Sequence, residues 1–128
     1  MTNVTTQVFV ESRYQVNRKK IKTRVEEVIK ARGIVTPVEV SIAIVGDRKM
    51  RSLNKKYRGL DKTTNVLSFS QTEGEGIVVP TDKLILGDIV ISYPVMIQEA
   101  SFENMLVDNK ICYWVEHGLE HLLGEHHE

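Results

Sequence analysis

Val38, Val40, Ile42 and Ile44 alternate with Glu39, Ser41 and Ala43, and this two-residue period constrains the fold more than any other feature of the chain. Successive side chains of a strand point to opposite faces, so the segment reads as a β-strand buried mainly on one face. Such a strand needs a sheet around it and a layer over its apolar face. The cover is written just upstream. Asn17 to Arg32 sets Ile21, Val25, Val28 and Ile29 on one stripe at the helical period, and Gly33 stands where a helix stops. Val4 to Val10, β-branched and aromatic, reads as a first strand.

Gly46 breaks the alternating strand, and Asp47 is suited to cap a second helix through Tyr57, with Met50, Leu53 and Tyr57 facing inward and Gly59 ending it. Val66 to Phe69 and Leu84 to Ile91 read as two more strands. The segment between them, rich in Gly, Glu and Thr and containing Pro80, has the composition of an exposed loop or hairpin. Pro94 fits the first turn of a third helix running to about Leu106. A fourth helix carries the stripe Ile111, Val115, Leu119 and Leu122 with Trp114 beside it, and Gly124 ends it. The order β-α-β-α-β-β-α-α predicts an α+β fold, a single small mixed β-sheet of about four strands with about four helices packed against it. A chain of 128 residues has room for one domain, residues 1–128, and buries enough surface for its own core.

Cys112 is the one cysteine and makes no internal disulfide. No run approaches the roughly 18 apolar residues of a membrane span. The opening MTNVTTQVFVES has neither the basic head nor the apolar stretch of a signal peptide, so the expected compartment is the cytoplasm, with no membrane partner. Zero net charge conceals a polarity. Residues 1–64 hold 15 Lys and Arg against 6 Asp and Glu, net +9, and residues 65–128 hold 2 against 11, net −9. The basic residues gather in Arg13 to Arg32 and Arg48 to Lys62, where a fold can lay them out as one face for a polyanion such as nucleic acid. Taken alone, such charges are more commonly the solvated faces of helices.

All four histidines, His117, His121, His126 and His127, fall in the last twelve residues. His117 and His121, at i and i+4 on a helix, project from one face and can meet a single ion at about 2.0–2.1 Å. With Gly124 turning the chain, His127 swings back as a third nitrogen in the spacing H-x3-H-x5-H. Three neutral nitrogens leave a tetrahedral ion one open position for water, the catalytic rather than the structural arrangement. A histidine pair alone is more commonly surface or core filling; here the pair is joined to Gly124 and His127. His126 is the extra histidine, a solvated neighbour or a substitute ligand if the tail shifts by one residue.

At these residues the chain resembles the YbeY endoribonucleases. H-G-L-E-H-L-L-G-E-H-H, His117 to His127, is similar to that family's H-G-x-L-H-L-x-G-Y-D-H, with His117, Gly118, His121, Leu122, Gly124 and His127 in register. L-N-K-K-Y-R-G-L-D-K-T-T-N-V-L-S-F, Leu53 to Phe69, resembles L-N-x-x-Y-R-x-x-D-x-x-T-D-V-L-S-F, and Leu86-Gly87-Asp88-Ile89 matches L-G-D-I. The resemblance implies a metal-dependent hydrolase that cuts single-stranded RNA, acting in maturation of the 16S ribosomal RNA 3′ end and in ribosome quality control. It implies one Zn²⁺ per chain at His117, His121 and His127, with His117 and Arg58 in the catalytic machinery. Arg58 would face the metal from the second helix and grip phosphate. The implied partners are single-stranded RNA, ribosomal RNA and the small ribosomal subunit, with no DNA expected.

The departures are Asn65 for Asp, Glu120 for Leu, and Glu125-His126 for Tyr-Asp. Asn65 bears on either the metal surroundings or substrate contacts. Glu120 opens a rival. H-G-L-E-H fits the inverted H-x-x-E-H pattern of zinc proteases, and on a helix Glu120 lies about 60° to one side of His117. It therefore reaches metal-bound water or points to solvent, the latter being favoured by the two other matched blocks. In the protease order H-E-x-x-H the general base would fall on Gly118, which abstracts no proton. A third reading is a non-enzymatic ribosome-associated protein whose zinc only holds the tail.

Overall fold

The computed structural model describes residues 3–71 and 83–126. The alternation at residues 38–44 is strand β2, Val38–Val45, in which Val38, Val40, Ile42 and Ile44 are buried and Glu39, Ser41 and Ala43 are half-covered. It pairs in parallel with β1, Val4–Val10, on one side and with β4, Leu84–Ser92, on the other. β3, Val66–Ser70, adds to the far edge of β4 antiparallel, so the sheet is mixed and its order is β1-β2-β4-β3. With four helices around it, this is the expected α+β architecture. The loop or hairpin segment around Pro80 lies outside the described residues.

Helix α1, Arg18–Ala31, starts where the Asn17 side chain accepts from the Lys20 amide at 3.0 Å. Its stripe Ile21, Val25, Val28 and Ile29 is buried, and α4, Val107–His126, packs beside it on the same face of the sheet. Between them and the sheet lies the main core, centred on Ile42, Ile44, Leu86, Ile89, Ile91, Ile111, Val115, Leu119 and Leu122. Each fully buried aliphatic side chain here contributes roughly 1.5–3 kcal/mol. The second face has a smaller core of Val45, Met50, Leu67 and Val90 under α2, Asp47–Arg58.

Three details differ from expectation. Gly46, not Asp47, takes the cap position of α2, with extended backbone and its amide held by Glu11 Oε2 at 2.8 Å. Asp47 is the first helical residue, and its carboxylate accepts from Thr63 and Ser92 hydroxyls, each at 3.3 Å. Tyr57 is 50% exposed, because the buried line of α2 runs through Met50 and Asn54. The Asn54 amide donates to the Lys62 carbonyl at 2.8 Å, tying down the turn after the helix. Helix α3 is Tyr93–Phe102 and stops short of Leu106. Asn104 adopts φ 55°, and the Met105 amide reaches back to the Ala100 carbonyl at 2.9 Å, closing the end as glycine commonly does.

β4 contains an irregularity that the alternation rule does not foresee. Glu39 pairs with Ile85 and Val40 with Gly87, so Leu86 is an extra residue in the ladder. Leu86 therefore joins Ile89 and Ile91 in the same core although its parity is opposite to theirs. Gly87 makes this possible at φ 136°, where an added Cβ would sit 2.0 Å from the Phe69 carbonyl oxygen.

Candidate functional site

The apolar stripe of α4 fixes which residues face out. Ile111, Cys112, Val115, Gly118, Leu119, Leu122 and Leu123 are buried, so Glu116, His117, Glu120 and His121 are exposed on the opposite side. Gly118 lets the helix sit directly on the sheet, since a Cβ there would lie 3.0 Å from Ile89. His117 and His121 thus stand on consecutive turns of one outward face. They are neutral-nitrogen donors suited to a transition metal such as zinc. His127 lies outside the described residues, as does the side chain of His126. Among the described residues no group of three or more His, Cys, Asp or Glu side chains comes together as a metal site.

Gly124 does not end the helix; α4 continues through it to His126. Glycine permits a turn without enforcing one, and its cost inside a helix is only about 1 kcal/mol relative to alanine. Among the described residues nothing packs within 4 Å of where its Cβ would be, so none of them forces the chain aside there.

The His117 ring meets Trp114 edge to face, with centroids 5.0 Å apart. Trp114 is held in turn: its indole N–H donates to Glu99 Oε1 on α3 at 2.7 Å, and Glu99 Oε2 accepts from the Asn65 amide at 3.2 Å. Asn65 Oδ1 accepts from the Val66 amide at 2.7 Å, anchoring the chain of contacts to the start of β3. Lys110, 5% exposed, reaches Glu103 at 2.8 Å and Glu99 at 3.6 Å. Its ammonium is held protonated beyond the usual lysine range, chiefly by the hydrogen bond to Glu103. The departure at Asn65 therefore puts an amide donor where an aspartate would set a second carboxylate against Glu99. Trp114 is placed by the sequence only as a neighbour of the apolar stripe, and Glu99 not at all, because the partners that make them a brace are 15 and 34 residues apart and no local pattern joins them.

Glu120 does not simply face solvent. It forms a 2.8 Å ion pair with Arg32 at the end of α1, and the Arg32 guanidinium is raised in pKa by that hydrogen bond and by the nearby charge.

Arg58 is the last residue of α2, which Gly59 ends in the left-handed conformation at φ 73°. Its guanidinium donates to the Ser68 carbonyl on β3 at 3.1 Å and lies 5.0 Å over the Phe69 ring. Helix α4 also packs against β3, so Arg58 and the two described histidines are carried by elements sharing that strand. Lys55 and Lys56 are exposed on α2.

Residues 5–128 match the family model described as Endoribonuclease YbeY. The protein named Endoribonuclease YbeY of Pelotomaculum thermopropionicum is 40% identical over 103 residues, covering 80% of this chain and 68% of that protein. The one of that name from Acinetobacter baumannii is 36% identical over 122 residues, 95% of this chain and 77% of that protein. The solution structure of TM1509 from Thermotoga maritima superposes with a TM-score of 0.60 at 25% identity, over 91% of this chain and 71% of that one.

Proposed function

The chain belongs to the YbeY endoribonuclease family, and on that premise we propose that it is a zinc-dependent cytoplasmic enzyme that hydrolyses single-stranded RNA. Its place of action in this reading is the 3′ end of 16S ribosomal RNA and ribosome quality control, with the small ribosomal subunit as partner. Zinc held by His117, His121 and His127 would supply a water of lowered pKa and a Lewis acid for a phosphodiester oxygen. Arg58 grips the scissile phosphate with its planar fork and offsets the charge that develops on it in the transition state. Its hydrogen bond to Ser68 and its seat on Phe69 hold it extended before substrate arrives, which lowers the entropy lost on binding. His117, braced by Trp114 and the Glu99 network, keeps its orientation without the substrate.

The observation that carries this reading is the pairing of His117 and His121 on the exposed turns of α4, with Arg58 at the end of α2 held by its hydrogen bond to Ser68 of β3, the strand against which α4 packs. RNA affinity should fall steeply with salt as counterions are released on association. In single-turnover cleavage of a labelled single-stranded RNA at matched metal content, Arg58→Glu should lose about a hundredfold or more, and Lys56→Gln only a few-fold. Equal losses would reduce Arg58 to a general electrostatic contributor, and salt-independent binding would remove the basic half of the chain from the mechanism.

The ion pair with Arg32 turns Glu120 toward α1 and gives it a structural occupation, which disfavours the inverted-motif protease. Glu120→Leu should leave RNA cleavage within a few-fold, since losing a general base costs about 10²- to 10⁴-fold. A hundredfold loss at equal metal occupancy would place Glu120 in the reaction, and peptide hydrolysis that vanishes with the same change would restore the protease.

A further inference from the structure

Helix α2 covers only one end of the second face of the sheet. Along β1 that face is open, its residues alternating between half-buried and exposed, and Phe9 is 58% exposed at its end. Between Phe9 and Tyr57 runs a groove of about 510 Å³, within the range of roughly 300–1,000 Å³ typical of small-molecule sites. Ala43, Val45 and Val90 form an apolar floor, Lys49 stands at the rim and Asp88 opens into it. The Asp88 carboxylate has no hydrogen-bond partner among the described residues. Asp88 is exposed on the groove side of β4 and only partly covered, and that burial raises its pKa by desolvation; a donor brought by a ligand would relieve the cost.

The charges around the groove select its occupant. Of the cations of helix α2, Lys49 lines the groove and Lys56 lies over the Tyr57 ring at 5.1 Å, while Arg48, Arg51 and Lys55 continue the positive surface beside it, only Arg51 being ion-paired among the described residues, with Asp61 at 2.8 Å. An apolar peptide would satisfy the rings and leave these cations unanswered. A single-stranded nucleic acid satisfies both, its phosphates along α2 and a base between the aromatic rings. Asp88 repels phosphate, so what reaches it must be the hydrogen-donating edge of a base. Guanine carries two adjacent N–H donors that match the two oxygens of a carboxylate. Adenine and cytosine set one amino group beside a lone pair, and uracil sets one N–H between two carbonyls.

We propose that this groove binds one unpaired nucleobase of the RNA strand, guanine in preference, stacked against Tyr57 and Phe9 and read by Asp88. The proposal rests on the nuclease reading and adds to it a base-specific subsite. Phe69 connects the two, meeting Tyr57 edge-on at 5.1 Å and carrying the Arg58 guanidinium at 5.0 Å. The bound base thus belongs to a nucleotide close to the phosphate that Arg58 holds.

The test is an NMR titration of the full chain with 5′-GMP and 5′-UMP, neither of which has an internucleotide bond to cut. GMP should perturb Phe9, Tyr57 and Asp88 and bind about tenfold more tightly than UMP. Phe9→Ala should weaken both by about tenfold, in line with the loss of one stacking partner. Asp88→Asn should abolish the preference while leaving UMP affinity in place, a change that a merely structural role would not produce. Equal affinities for the two nucleotides, perturbations confined to other surfaces, or an unaffected Phe9→Ala variant would overturn the proposal. So would a groove that responds to purified small-subunit proteins and not to GMP. A wild type that cuts RNA while its groove ignores GMP loses the subsite and keeps the nuclease; one whose groove selects GMP while cutting no RNA does the reverse.

Discussion

His121→Ala is expected to leave the purified chain without bound zinc and to lower RNA cleavage about a thousandfold or more, because in the proposed mechanism both the activated water and the neutralised phosphodiester oxygen would depend on the ion. His121 is exposed on α4, one turn beyond His117, and contributes nothing to the buried stripe. Zinc bound to the native state raises its stability, so wild type and variant are compared as zinc-free proteins, where unchanged circular dichroism separates the chemical loss from misfolding. Elemental analysis supplies the deciding measurement. Full zinc occupancy in the variant would remove His121 from the ligand set, and full occupancy with lost cleavage would move it from ligand to substrate contact.

Gly87→Ala is expected to be the most destabilising single-methyl change on the described sheet. The position combines φ 136° with a Cβ that would lie 2.0 Å from the Phe69 oxygen and 2.9 Å from the Ser70 Cα, both backbone atoms of the paired strand. The strand cannot rotate a side chain away, so β3 must separate from β4 or the extra residue at Leu86 must be lost from the ladder. Losing it would turn either Leu86 or the pair Ile89 and Ile91 out of the core. A loss of about 4 kcal/mol is expected, near the upper end for point changes. Gly59→Ala is the control: φ is 73° but among the described residues nothing lies within 4 Å of the added methyl, and the cost should be about 1 kcal/mol. Urea denaturation of the three proteins checks both figures, and equal losses would show that conformation rather than the approach of β3 makes Gly87 necessary.

The strands and the two helices of the main core were legible because each carries a clean period. Val38 to Ile44 admits only one face inward, and the stripe of α1 is buried residue for residue as read. Where the sequence misled, a feature outside the local period decided the outcome. Tyr57 belongs to the apolar line of α2 by spacing, but the sheet beneath it opens into a groove and leaves it half exposed. Gly124 carries a stop signal that its surroundings do not use. Gly87 inside a strand pattern was the visible sign of the irregularity in β4, yet its effect on Leu86 emerges only from the pairing with β2. At the site, the spacing of His117 and His121 was enough to set them on one exposed face. The bracing of His117 through Trp114, Glu99 and Asn65 was not legible, since it joins α4, α3 and the start of β3 through side chains that no periodicity links.

The strand order β1-β2-β4-β3 also bears on how the protein comes to be active. β1, α1 and β2 form one unit of near neighbours along the chain, and β3 with β4 forms another, joined down the middle of the sheet where β2 pairs with β4. That seam brings together residues more than forty positions apart, so among the strand pairings its closure bears the largest loop entropy and comes late in folding. Arg58 lies before β3 in the chain and the histidines after β4, while α1 and α4 come together only once the two halves are docked. Arg58 is held against β3 and α4 packs on β3 and β4, so the residues of the candidate site lie on one side of that seam. What closing the seam adds is the support behind that side, α1 against α4 and the β2 half of the main core, so the topology separates the elements that carry the site from those that stiffen it.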